Sequence, residues 1–248
     1  MNRYTILILF LCSSSVFAAD IDKKYIVTAN RLIHTATNSS FGFKRLETLC
    51  DTFGPRFTGT KSLEDAIDWC MAEMRKDGFK NVHGEKVKVP RWVRGKESAT
   101  LLSPRRRALP MMGLGGSVGT PKEGITADVL VVNSFDDLKA KANQAKGKIV
   151  LFNLPFTEYR ETVIVRRMGA IEAAKAGAVA SLIRSVGPFS MQTPHTGNMR
   201  YDDEVKRIPH AALSVEDAIM LARMQKRGEP IRIELKMEAV SYTHLRAH

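Results

Sequence analysis

The residues of this chain that could do chemistry are few and do not cluster. Zinc hydrolysis needs His and carboxylate ligands converging on one point, plus a general base to deprotonate the bound water. The loop residues His195, Asp202 and Asp203 are the plausible contributors, yet a histidine between Pro194 and Gly197 fits a turn better than a ligand set. His244 and His248 stand four apart, but Leu245 follows His244 where the metalloprotease pattern requires glutamate. There is no Gly-x-Ser-x-Gly elbow, and neither Cys50 nor Cys70 has a histidine partner recognisable from sequence. The glycine run Gly113 to Gly119 invites a phosphate-binding reading. It lacks the glycine at the sixth place and the helix that should follow, because Thr120-Pro121 turns the chain, so a mobile glycine loop is expected instead.

The elements that would carry these residues are readable from residue types. Lys148 to Asn153 and Ala178 to Ile183 are short apolar runs that predict strands buried on both faces. Between them Ile164, Met168 and Ile171 recur at helical spacing, and Gly177 ends a helix predicted over 161–176. Gly169, Ala170, Ala173 and Ala174 leave that helix little bulk, so it can lie close to a sheet. This strand–helix–strand unit calls for parallel pairing and a right-handed crossover. Ser134 with Asp137, and Ser214 with Asp217, predict capped helices closed by Gly147 and Gly228. Ile231, Ile233, Leu235 and Met237 alternate with charged residues, as in a strand with one wet face.

Upstream, apolar spacing predicts helices over 21–33, 43–50 and 62–78, the last capped by Ser62 with Asp65. Strands are expected over 85–93, as an edge strand bearing Pro90, and 98–102, as its partner. Arg3, the apolar run Ile6 to Leu11 and the small residues before Ala18 read as a signal peptide cleaved after Ala18. That run is too short to span a bilayer, which needs roughly 20 residues. A secretory route is therefore expected, with no membrane span.

The net charge of +12 would ordinarily suggest nucleic acid, but 26 acidic residues are interspersed and a secreted chain seldom meets it. No nucleic-acid partner is expected, and Arg105 to Arg107, between two prolines, reads as a solvated loop. Cys12 leaves with the signal peptide, so Cys50 and Cys70 remain to pair or to stay free; Cys70 also continues the apolar helical series Leu63, Ala66, Ile67. Asn38-Ser-Ser40 is a glycosylation sequon.

Several blocks carry a family resemblance. Gly147-Lys-Ile-Val150, Gly169-Ala-Ile-Glu-Ala-Ala-Lys-Ala-Gly177, Ser181-Leu-Ile-Arg-Ser185 and Ser190-Met-Gln-Thr-Pro-His-Thr-Gly197 resemble the protease-associated domain of the carboxypeptidase Q (plasma glutamate carboxypeptidase) family of zinc metallopeptidases. The segment Asp51 to Gly59, the blocks Val87 to Trp92 and Gly95 to Ala99, and Gly124 to Val132 are similar to the peptidase domain and its lead into that insertion, so the likeness runs from about Phe43 to about Met237.

The resemblance implies an α/β fold in which a protease-associated domain follows an incomplete amino-terminal piece of an αβα zinc-peptidase domain. Its divisions are a signal peptide over 1–18, a propeptide-like helical segment over 19–42, the first part of the peptidase domain over 43–116, the protease-associated domain over 117–238 and a tail over 239–248. It also implies zinc, small peptides as substrates, a homodimer, and a secreted or lysosomal location reached through the endoplasmic reticulum and Golgi. Arg56 lies in the segment similar to the amino end of the family's catalytic domain and is a candidate for a substrate-side loop, although an arginine satisfying loop carbonyls is the simpler reading. The family's zinc ligands and catalytic glutamate lie beyond the protease-associated domain, and no position here matches them. No catalytic and no metal-binding residue is therefore assigned, and the chain alone is expected to bind no zinc and to be inactive. Ser241 to His248 resembles adaptor-derived sequence more than the family's continuation. A non-catalytic lumenal protein-binding module built on a protease-associated domain is the competing expectation.

Overall fold

The computed structural model describes residues 23–247, with side chains of the last elements described to Tyr242; the signal peptide with its cleavage point after Ala18 lies outside them, as does His248. Two compact units result, one formed by residues up to Arg56 with Lys61–Val82, the other by Phe57–Thr60 with the chain from His83 onward.

The first unit is helical. Helix α1 covers residues 23–37, α2 covers Phe41–Phe53 and α3 covers Lys61–Lys76. Helix α2 buries no residue, and α3 buries only Ala66. They meet through Arg45, which is ion-paired with Asp77 and, at 3.2 Å, with Glu73, and through the Phe53–Trp69 ring pair at 5.7 Å. Ser62 does not cap α3 as expected. The helix begins one residue earlier, and the Ser62 hydroxyl donates to the Pro55 carbonyl at 2.6 Å, so the side chain ties the preceding turn to the helix.

The second unit is built on strands β1 (Val87–Val93), β2 (Glu97–Ser103), β3 (Arg107–Leu109), β4 (Met111–Gly113), β5 (Ile125–Val132), β6 (Ile149–Phe152), β7 (Ala180–Arg184), β8 (His210–Leu213), β9 (Arg232–Met237) and β10 (Val240–Ala247). Between them lie helices α4 (Phe135–Ala140), α5 (Ala142–Ala145), α6 (Tyr159–Thr162), α7 (Ile164–Lys175) and α8 (Val215–Lys226). Eight strands form one sheet in the order β3-β2-β9-β5-β6-β7-β8-β4, while β1 and β10 form a separate two-stranded ribbon. The four strands from β5 to β8 are parallel, and the outer strands β4, β9, β2 and β3 join antiparallel.

Alternation along β6 shows how the sheet is sandwiched. Ile149 and Leu151 face a core shared with Leu182, Leu213 and the α8 residues Ala218 and Leu221. Val150 and Phe152 face the other core, with Leu138 of α4, Ala145 of α5 and Val165, Ala170 and Ala173 of α7. All four β6 residues are buried, as expected of a parallel strand covered on both sides. The caps are as the sequence predicts, Ser134 accepting from the Asp137 N–H and Ser214 from the Asp217 N–H, each at 3.0 Å.

Three expectations need correction. The helix predicted over 161–176 is two helices, α6 and α7, meeting at Val163. The face α7 turns inward is Val165, Arg166, Gly169, Ala170, Ile171 and Ala173; of the expected apolar series Ile171 is buried, whereas Ile164 is exposed. Close approach selects it: a Cβ on Gly169 would lie 3.0 Å from the His210 ring and 3.2 Å from Phe152, so bulk must point away. The strand with Pro90 pairs with β10, around a register irregularity between Val89 and Arg91, and not with β2. Strand β2 pairs instead with β3 and β9, so the large sheet takes in residues on both sides of position 117.

Candidate functional site

The glycine run is the part of the second unit where most loops converge. Gly113 ends β4; its N–H donates to Glu97 Oε2 at 3.0 Å, and its carbonyl accepts from Arg94 and from Thr196 Oγ1. Gly115 bonds the 195–201 loop in both directions, its N–H to the Gly197 carbonyl at 2.8 Å and its carbonyl from the Met199 N–H at 3.1 Å. The Ser117 carbonyl accepts from the Trp92 indole at 2.8 Å, and its hydroxyl accepts from the His210 N–H at 2.9 Å. The Val118 N–H donates to the Tyr201 hydroxyl, which donates to the Ile208 carbonyl at 2.6 Å.

A phosphate cradle needs successive N–H groups turned toward an open concavity. Here the N–H groups of Gly113, Gly115, Ser117, Val118 and Thr120 all end on protein acceptors, so the run is a junction that holds β4, the 195–201 loop and β9 together. The expected mobile glycine loop is instead held by backbone hydrogen bonds at Gly113, Leu114, Gly115, Ser117 and Val118. Its glycines serve close packing: a Cβ on Gly119 would meet the Met237 carbonyl at 2.6 Å. A signal for this was present in Trp92, Tyr201 and Thr196, polar-tipped residues that each need a partner when buried, but their targets are distant in sequence.

Two titratable groups border the junction. Glu97 is half-buried, and burial pushes its carboxyl up while the Gly113 N–H and Arg94 pull it down. His210 is fully buried, its Nδ1 is 3.2 Å from the Ser181 carbonyl, and burial drives its pKa down to about 4. A neutral imidazole in that place is a packing residue. A cleft of about 610 Å³ lies beside Glu97, lined also by Lys96, Ser98, Thr120, Lys122, Lys236 and Glu238.

The expected site residues lie apart. His195 is exposed, with Nδ1 3.0 Å from the Val186 carbonyl and its backbone N–H on Ser185 Oγ. Asp202 accepts from the Glu204 N–H and Asp203 pairs with Arg207 at 2.8 Å, both in turn geometry. His244 lies in β10, and nothing is described of its side chain. Among the described residues no three His, Cys, Asp or Glu side chains come together to hold a metal, so a zinc centre does not fit these donors. Arg56 donates to the Leu49 and Gly54 carbonyls at 2.9 and 2.5 Å and so closes the end of α2. Cys50 is an exposed free thiol and Cys70 a half-buried one. Asn38 is exposed at the end of α1, its amide nitrogen donating to the His34 carbonyl at 2.9 Å. Among the described residues no helix is long and apolar enough to cross a membrane.

No family model matches the chain. Carboxypeptidase Q of Mus musculus is 49% identical over 221 residues, which is 88% of this chain and 47% of that protein. The crystal structure of a peptidase M28 precursor from Shewanella amazonensis superposes with a TM-score of 0.82 at 34% identity, over 92% of this chain and 52% of that one. A zinc aminopeptidase from Bacillus subtilis shares the fold, with a TM-score of 0.56 at 23% identity, over 83% of this chain and 44% of that one. Over most of its length, therefore, this chain is a homologue of carboxypeptidase Q, and it spans a little under half the length of that relative.

Proposed function

We propose that this chain is the amino-terminal part of a zinc-dependent carboxypeptidase or dipeptidase that acts on small peptides in the secretory pathway, either outside the cell or in lysosomes. The observation that carries the reading is identity near one half, sustained over 221 residues, with a named carboxypeptidase. The donor set supports its second element, that the zinc ligands and the catalytic base belong to the remainder of the parent. His195, Asp202 and Asp203 are each engaged locally and do not form a three-ligand group.

In this reading residues 1–18 are removed after Ala18, 19–42 are a propeptide, 43–116 open the peptidase domain and 117–238 are the protease-associated domain. Strands β2, β3 and β4 complete that domain's sheet from the segment before it. Asn38 carries glycan, Arg56 orders the loop that later borders substrate, and Cys50 and Cys70 pair only if the parent brings them together. The first unit's exposed Phe43 and Leu46 are then surface that the rest of the peptidase domain covers.

The test is elemental analysis and dipeptide hydrolysis on the purified chain and on the same chain continued through the carboxypeptidase Q-like second half. The reading expects zinc and chelator-sensitive turnover only in the longer protein. Stoichiometric zinc in the shorter chain, or a longer protein without zinc, would overturn it.

A further inference from the structure

The loop between β7 and β8 presents an unusual tip. Phe189 and Met191 are 70% and 80% exposed, while Ser190 between them is turned inward. Its hydroxyl donates to Glu216 Oε2 at 2.7 Å and accepts from the Val215 N–H at 2.8 Å. The N–H groups of Ser190, Met191 and Gln192 all point at the same carboxylate, at 3.3, 2.9 and 3.3 Å. Met191 and Gln192 accept positive φ values of 48° and 62° to do so, a conformation that non-glycine residues hold only when their surroundings fix it. The clamp therefore fixes the loop with both large apolar side chains facing outward.

A second set of residues stands beside this tip. Gln192 accepts from Arg107 at 3.3 Å, and Arg107 is paired with the buried Asp217 at 3.0 Å. Arg107 opens β3, so the turn before it, carrying the exposed Arg105 and Arg106, lies next to the loop. Neither of those arginines has an ion-pair partner among the described residues, and Glu216 and Asp217, the acids that hold the loop and Arg107, are already engaged.

We propose that this edge docks on an anionic phospholipid surface, Phe189 and Met191 entering the boundary between headgroups and acyl chains while Arg105 and Arg106 engage lipid phosphates. Two side chains on a narrow tip are too few for a protein partner, since stable interfaces take roughly 800 Å² from each side. A bilayer interface, by contrast, accepts single apolar side chains and rewards each basic residue beside them. The net charge of +12 favours approach to the same surface. Docking here would hold the chain at a membrane surface, and with the secretory location of the proposed function that surface is a lumenal or outer one.

The experiment is co-sedimentation of the full chain with vesicles of phosphatidylcholine alone and with vesicles in which about a third of the lipid is phosphatidylserine. Binding is expected only to the latter, weakening as salt is raised. Phe189→Ser with Met191→Ser should weaken it about tenfold, and Arg105→Ala with Arg106→Ala by a similar factor. Both variants alter exposed positions, so circular dichroism should be unchanged; either pair alone tests the idea if the other fails to fold. Equal binding by the Phe189/Met191 variant would show attraction by net charge alone and overturn the proposal. So would absent binding by the parent chain, or self-association in light scattering that the same variant abolishes without any vesicle binding.

Discussion

His210 makes the stability of the second unit depend on pH, and the size of the effect follows from its burial. The imidazole is 0% exposed at the start of β8, packed on Gly169 and Phe152, and its pKa falls from 6.5 to about 4 because burial penalises the charged ring. In the unfolded chain the same group takes up a proton below about 6.5. The unfolded state thus binds more protons between those values, and stability is fully present above about 6.5 and declines as pH falls toward 4. At about 1.4 kcal/mol per pH unit, the whole window is worth on the order of 3 kcal/mol, of which about 2 kcal/mol is lost by pH 5. His210→Asn keeps a donor near the Nδ1 position for the Ser181 carbonyl but does not titrate. Urea denaturation of both proteins from pH 7.5 to 4.5 gives the comparison. The variant should be weaker at pH 7.5 by about 1–2 kcal/mol, for the ring atoms removed, and should close or reverse that gap at pH 5. Parallel pH profiles for the two proteins would refute the reasoning, because all other titrating groups are common to both.

Glu216 acts in a lower window: hydrogen bonds from Ser190 first, and from the backbone of residues 191 and 192, hold its carboxyl down at about 2, so its contribution is present above about 4.5 and lost as pH falls toward 2. Glu216→Ala should cost about 1 kcal/mol at pH 7 after allowance for solvent screening, and amide exchange at residues 190–192 should quicken markedly. Gly119→Ala forces a methyl against the Met237 and Ala239 carbonyls and should cost about 1–3 kcal/mol, read as a lowered urea midpoint. Ser134→Ala removes the cap of α4 and should cost about 1 kcal/mol, measured in the same way.

What could be read from residues alone was whatever depends on neighbours in sequence. Ser134 and Ser214 cap because the acceptor and the N–H lie three residues apart. Gly147, Gly177 and Gly228 all take positive φ, where a glycine ends a helix at least cost. The β6 and β7 strands announce themselves by unbroken apolar runs. By contrast, the partner of β2 is set by Glu97–Ser103 meeting Arg232–Met237, and nothing in either stretch names the other. Arg166 shows the same limit: a charged residue that sequence alone would leave in solvent is 8% exposed because the 195–198 loop folds over it, with the Tyr159 hydroxyl 2.6 Å away. The Gly113–Gly119 junction has the same character, since its composition suggests freedom while its bonds come from residues as far off as His210.

The pairing of β2 with β9 also orders events on the ribosome. Ala99 leaves the exit tunnel long before its partner Leu235, with well over a hundred residues between them. At roughly 5–20 residues per second, β2 and β3 wait on the order of ten seconds with one hydrogen-bonding edge open, while β5, β6, β7 and β8 can already assemble behind them. Strand β9, inserted between β2 and β5, is the piece that seals the sheet. Chaperones would meet this protein first through that waiting edge, and a nascent chain stalled before residue 232 would present it indefinitely.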